Sequence, residues 1–121
     1  MYTVYQVPTS HYYDVDSGHF TGGFCPSRQL IGNGCREDRE KVGKNIAAYV
    51  PVAHFDVEGL EEVFEASNSP YNRESYESKI SRLKDMHSVS VGDLVRDSIG
   101  DYWLCAGTGW ARIDHLLIKV A

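Results

Sequence analysis

Ser90-Val-Gly-Asp-Leu-Val-Arg96, Asp97-Ser-Ile-Gly-Asp101, Tyr102-Trp-Leu-Cys-Ala106, Gly107-Thr-Gly109 and Trp110-Ala-Arg-Ile113 follow one another without a break. Apolar and β-branched residues recur here at the period of two that a half-buried strand requires. The two interruptions hold Asp, Ser, Thr and Gly, the residues that close tight turns. The stretch therefore reads as three strands joined by hairpins, an antiparallel meander. Leu116 to Val120 is expected to add a terminal strand.

Towards the N-terminus the period changes. Tyr76, Ile80 and Leu83 recur at four and three, which predicts a helix, and Val57, Leu60, Val63 and Phe64 share one face of an earlier one. Asp56 is expected to cap that earlier helix, and Asn68 and Pro70 to end it. Ala47 to Phe55 is β-rich, and Pro51 marks it as an edge strand or a bulged one. Tyr2 to Val7 reads as a strand stopped by Pro8, and Tyr12 to Val15 as a second short extended piece. Gly18, Gly22, Gly23, Pro26, Gly32, Asn33, Gly34 and Gly43 make the rest of this region a long loop. The expected fold is α+β, mainly antiparallel sheet and β-meander with two short helices, in a single domain over residues 1–121. A strand and a Tyr- and Gly-rich loop fill 1–44, and a strand, two helices and the meander fill 45–121.

The chain has 121 residues, enough for one modest core and too few for two. Its 12 Lys and Arg against 17 Asp and Glu argue against a duplex-binding protein, which needs cations to displace condensed counterions. The same excess is too small for a wholesale mimic of nucleic acid. It is also local. Residues 1–44 and 73–121 are each balanced, whereas 45–72 holds Asp56, Glu58, Glu61, Glu62 and Glu65 with no Lys or Arg. The N-terminus lacks the basic and apolar regions of a secretory signal, and no window has the roughly 18 apolar residues of a membrane span. Cys25, Cys35 and Cys105 are odd in number and widely spaced, poor material for disulfides and suited to a reducing cytoplasm.

The meander and the segment before it also carry a resemblance. His87-Ser-Val-Ser-Val-Gly-Asp93, Tyr102-Trp-Leu-Cys105 and Gly109-Trp110 resemble the "(R/H)S-x-SVGD … G(F/W)" block of small proteins encoded by phages and mobile elements. YodL-like domains carry a similar stretch. In many such proteins the block follows a segment like "LEEVF-x-x-TN", and Leu60-Glu-Glu-Val-Phe64 with Ser67-Asn68 stands in that place. The likeness covers roughly residues 55–113. It implies a small accessory protein acting on a host factor and brings no catalytic residue. Read by itself, the block is turn chemistry: Ser88, Ser90, Gly92 and Asp93 suit a chain passing from helix to strand. With His87 and Trp110 these residues are also candidates for a recognition surface.

Candidate chemistry elsewhere is thin. His11, His19, Cys25 and Cys35 are of ligand type, but their spacing fits no zinc signature, so neither metal nor cofactor is expected. Cys25 and Cys105 have no histidine set by a motif to activate them, and no catalytic residue is assigned. Gly32-Asn-Gly34 and Gly107-Thr-Gly109 lack the context of a phosphate loop. Arg36, Arg39, Lys41 and Lys44 are interleaved with Glu37, Asp38 and Glu40, which reads as a solvated helical turn or loop.

The features left are the acidic helix, with Glu58, Glu61, Glu62 and Glu65, and the tyrosines Tyr12 and Tyr13. Both suit binding to a protein. The expectation is a non-enzymatic phage or mobile-element protein that binds a host protein in the cytoplasm, for host takeover or anti-defence. No membrane is expected as a partner, and an edge at the Pro51 strand leaves homodimerisation open. One alternative is a small enzyme or ligand-sequestering protein with a pocket between the N-terminal loop and the meander. A second is weak single-stranded nucleic-acid binding through the tyrosines and the basic cluster of residues 36–44.

Overall fold

The structure is a computed structural model and describes residues 1–27, 31–68 and 73–113. Its frame is one six-stranded sheet built from β1 (Tyr2–Gln6), β2 (Val50–Phe55), β3 (Ile80–Arg82), β4 (Leu94–Arg96), β5 (Tyr102–Ala106) and β6 (Gly109–Ile113). The spatial order is β3-β2-β1-β4-β5-β6, and every pair is antiparallel. The N-terminal strand thus lies inside the sheet, between chain segments far from it in sequence. The helices are α1 (Arg36–Lys44), α2 (Leu60–Asn68) and α3 (Arg73–Glu77).

The meander forms as the alternation predicts. Asp97 closes its first turn: Oδ1 accepts the N–H groups of Ile99 and Asp101, and Gly100 takes a φ of 94° that a side chain would resist. Consecutive residues of the strands enter different halves of the core. Val4, Val95 and Cys105 join Phe55 and, from α2, Val63 and Ala66. Leu94 and Leu104 join Val42 of α1 and Phe24 and Ile31 of the long loop. So α2 covers one face of the sheet, and α1 with the loop covers the other. Each large side chain buried this way contributes about 1.5–3 kcal/mol.

Several expectations need correction. Pro51 is not on an edge: β2 is internal, and the register jumps so that Val4 faces Ala53 while Tyr5 faces Pro51. The jump leaves Val52 without a partner on β1, so of the two readings of Pro51 the bulged strand holds and the edge strand does not. Asp56 caps nothing. The chain is still paired there, with the Asp56 N–H on the Lys79 carbonyl, and α2 begins four residues later with the Val63 N–H on the Gly59 carbonyl. Phe64 is not on the buried face but 43% exposed. The helix read through Tyr76, Ile80 and Leu83 ends at Glu77, because Ile80 to Arg82 pairs with Phe55 to Ala53 as β3. The strand expected from Ser90 begins only at Leu94, after a turn. The basic segment is a nine-residue helix, which brings the α-helices among the described residues to three. Pro70 and residues 116–120 lie outside the described residues.

Among the described residues, the N-terminal loop packs directly on the meander. Phe24 and Ile31 pack with Leu94, Leu104 and Ile113, and the Gly107 N–H donates to the Gly32 carbonyl. Among the described residues no helix is long and apolar enough to cross a membrane.

Candidate functional site

Two places gather the residues that the sequence singles out. The first is the turn ahead of β4. Asp93 is 4% exposed, and its Oδ2 accepts the Ser90 N–H at 3.0 Å and a Gln6 Nε2 proton at 3.0 Å. The other Gln6 proton goes to the His87 carbonyl at 2.9 Å. Both amide protons are then used, so His87 Nδ1 keeps its own proton for the Ser88 carbonyl at 2.8 Å. That leaves Nε2 as the basic nitrogen of an exposed ring. His87 Nδ1 lies 3.9 Å from Asp93 Oδ2, too far for a hydrogen bond, and the two attract as an ion pair only when the ring carries a second proton.

Burial dominates this node. It lifts the Asp93 carboxyl to about 6, against the pull of the Ser90 N–H, His87 and Gln6. Burial first, and the Asp93 charge second, push the Cys105 thiol up to about 11 and drive the Tyr49 hydroxyl well above its ordinary range. A thiol so raised is a packing group at neutral pH. Tyr49 is a structural strut: its hydroxyl donates to the Gly92 carbonyl at 2.6 Å.

The turn is also tied to α2. Ser67 Oγ accepts the Val89 N–H at 2.7 Å, and Asn68 Nδ2 donates to the Val89 carbonyl at 3.0 Å. The end of α2 and the 87–93 turn thus touch each other, as turn chemistry that locks helix to meander. Met86 and His87 line two clefts, one of about 310 Å³ beside Ser67, Glu77 and Arg82, the other of about 370 Å³ beside Val7, Val50 and Lys84.

The second place lies on the α2 face of the sheet. Tyr2, Leu60, Trp103 and Trp110 wall an open cleft of about 470 Å³, with Glu61 and Asp97 also lining it. Tyr2, Leu60 and Trp110 rest on the buried cluster beneath. Trp103 is pinned by its indole N–H, which donates to Asp97 Oδ2 at 2.9 Å. Burial works to raise the Asp97 carboxyl, but that bond and the N–H groups of Asp101, Ile99 and Gly100 outweigh it and hold the group below its usual value. Asp97 therefore stays ionised.

The candidate residues divide between these places. His87, Ser88, Ser90 and Asp93 share the turn, with Ser88 and Ser90 exposed and acting through backbone groups. Trp110 belongs to the aromatic cleft instead. Glu58, Glu61 and Glu65 are exposed and Glu62 is half-buried. Glu62 Oε2 accepts the Glu58 N–H at 3.3 Å, where the helix dipole favours an anion. Burial, Glu65 and Glu62 in turn raise the Tyr76 hydroxyl. Tyr12 and Tyr13 are half-buried and lean on each other at 5.2 Å, with Phe20 against Tyr13 at 6.2 Å. They pack a small hairpin rather than present open rings.

Gln6, Trp103 and Asp97 carry no functional assignment from sequence. Gln6 sits two residues from buried Val4 on the same strand, and a polar side chain at an inward position needs a partner. Among the described residues no group of three or more His, Cys, Asp or Glu is placed to hold a metal ion. Comparison with protein-family models, curated proteins and solved structures finds no match for this chain.

Proposed function

We propose that this protein works by binding rather than by catalysis, as a phage or mobile-element accessory protein that engages a host protein in the cytoplasm. One observation carries the reading. The net charge of −5 belongs to residues 45–72, and there Glu58, ahead of α2, and Glu61 and Glu65 within it are exposed, as is Phe64 of the same helix at 43%. An exposed apolar side chain on a helix that carries one sign of charge suits a partner of opposite sign, with the charge setting encounter rate and choice of partner. The same exposed carboxylates repel a polyanion, which favours a protein over a single strand.

The test is capture from host lysate with the intact protein and with the Glu61→Lys, Glu62→Lys, Glu65→Lys triple variant, after circular dichroism has established that the variant folds. The expected result is one partner held in stoichiometric amount by the native protein and lost by the variant. No partner, or equal capture by both, overturns the proposal. A ligand-binding or enzymatic reading rests on His87 between its two clefts. It predicts that His87→Ala abolishes function, whereas the binding reading predicts unchanged capture.

A further inference from the structure

The acidic helix face says which charge a partner carries; the cleft beside it says how one side chain of that partner is held. Its walls are aromatic, and a ring face presents negative potential to a cation within about 6 Å. The walls are fixed before any partner arrives. Tyr2, Leu60 and Trp110 are anchored on the core, and Asp97 holds the Trp103 indole by its N–H edge while its other oxygen is held by the Ile99 and Asp101 N–H groups. Because that indole N–H is already satisfied, Trp103 brings its ring faces to the cleft rather than a donor. Glu61 is exposed at the rim, and none of the described residues lining the cleft is a Lys or Arg.

We infer that this cleft receives the cationic side chain of a basic segment of the partner protein, laid against Trp103 and Trp110 with Glu61 as its counter-ion. The inference rests on the binding function proposed above and names the partner's chemistry. Arginine is favoured over lysine, because a planar guanidinium stacks on an indole and gives up its hydration more easily. Phosphate-bearing ligands are disfavoured by the carboxylates of Glu61 and Asp97. An open cleft covers one side of its occupant, which suits a side chain on a protein surface better than a small molecule that must be enclosed.

The chain has two tryptophans, and both line the cleft, so tryptophan emission, excited selectively over the eight tyrosines, reports on this site. Hexa-arginine, hexa-lysine and hexa-glutamate peptides are titrated into the full chain at 0.15 M salt. The expected result is a saturable change with hexa-arginine, a several-fold weaker one with hexa-lysine and none with hexa-glutamate. Glu61→Lys is expected to weaken hexa-arginine at least tenfold. Glu65→Lys, on the same helix but outside the cleft, is expected to weaken it less than threefold. No saturable fluorescence change with hexa-arginine overturns the inference. So does equal weakening by the two variants, because the affinity would then come from the general field of α2. In both cases the wider binding proposal stands or falls separately, on capture of the host partner by the native protein and its loss in the triple variant.

Discussion

Two aspartates flank β4, Asp93 at its entrance and Asp97 at its exit, and they use the same carboxylate in opposite ways. Asp93 accepts one backbone N–H of its own turn and the Gln6 side chain, whereas Asp97 accepts the Ile99 and Asp101 N–H groups and the Trp103 indole. Asp93 is lifted to about 6 and Asp97 is held below its usual value. Depth and the number of donors together make the difference. Asp93 is 4% exposed beneath the 87–93 turn, where loss of hydration outweighs its donors, while Asp97 keeps contact with water. The buried aspartate holds the chain together; the half-buried one keeps its charge and orients an aromatic wall of the cleft.

The comparison breaks first if the two positions cost the same to remove. At pH 5, where Asp93 is mostly protonated, Asp93→Ala strands the Ser90 N–H and a Gln6 amide proton in the interior. At roughly 2 kcal/mol for each orphaned donor the loss is about 4 kcal/mol. Asp93→Asn keeps an acceptor oxygen and is expected to lose about 1 kcal/mol. Urea unfolding measures both, and a neutral Asp93→Ala would show that the node does not hold the turn.

The next largest effect separates the aspartates by pH. Between 3.8 and about 6 the folded chain holds a proton on Asp93 that the unfolded chain has released, so this group's contribution to stability falls as pH rises through that window. Two pKa units at about 1.4 kcal/mol each make the span about 3 kcal/mol. Asp97 acts with the other sign: its contribution is present above its unfolded value and is lost as pH falls through the lowered folded one, below 3.8. The stability difference between native protein and Asp93→Asn, followed from pH 4 to 7, is expected to shift by about 3 kcal/mol in favour of the variant. A difference constant across that range would remove the distinction.

At the half-buried end, Asp97→Ala is expected to cost only about 1.5 kcal/mol, because the released N–H groups can turn to water. Its sharper signature is spectroscopic: Trp103 loses its tether, and tryptophan emission shifts to the red. Unchanged emission would mean that the core alone sets the ring's orientation.

The two ends also differ in how far they could be read in advance. The turn at Asp97 is local, with Asp, Ser and Gly between alternating apolar runs, so the hairpin and β5 were legible to the residue. The bond to Trp103 spans only six residues but left no mark, since a tryptophan on a strand reads as core. The Asp93 node joins Gln6 to residues more than 80 positions away, and no window of sequence contains that pair. β3 fails for the same reason. Ile80, Ser81 and Arg82 have helical neighbours and become a strand only because β2 offers an open edge. Asp56 was misread because a good capping residue says nothing about whether the chain before it is still paired.

The smallest effect on stability separates the binding cleft from the fold altogether. Glu61 stands in the first turn of α2, where the helix dipole stabilises an anion. Replacing it with lysine reverses a favourable term of roughly 0.3–1 kcal/mol at an exposed site, so Glu61→Lys should cost about 0.5 kcal/mol in urea unfolding. Glu65→Lys, near the other end of the same helix, should cost no more than that. If Glu61 serves only the helix, Glu61→Lys loses stability slightly and neither variant loses hexa-arginine in particular. If it serves the cleft, binding to Trp103 and Trp110 collapses in Glu61→Lys while the fold barely registers the change. A carboxylate with little part in the fold and a large one in recognition is the reverse of Asp93. The ratio of binding loss to stability loss at each acidic position therefore tells which carboxylates belong to the architecture and which face the partner.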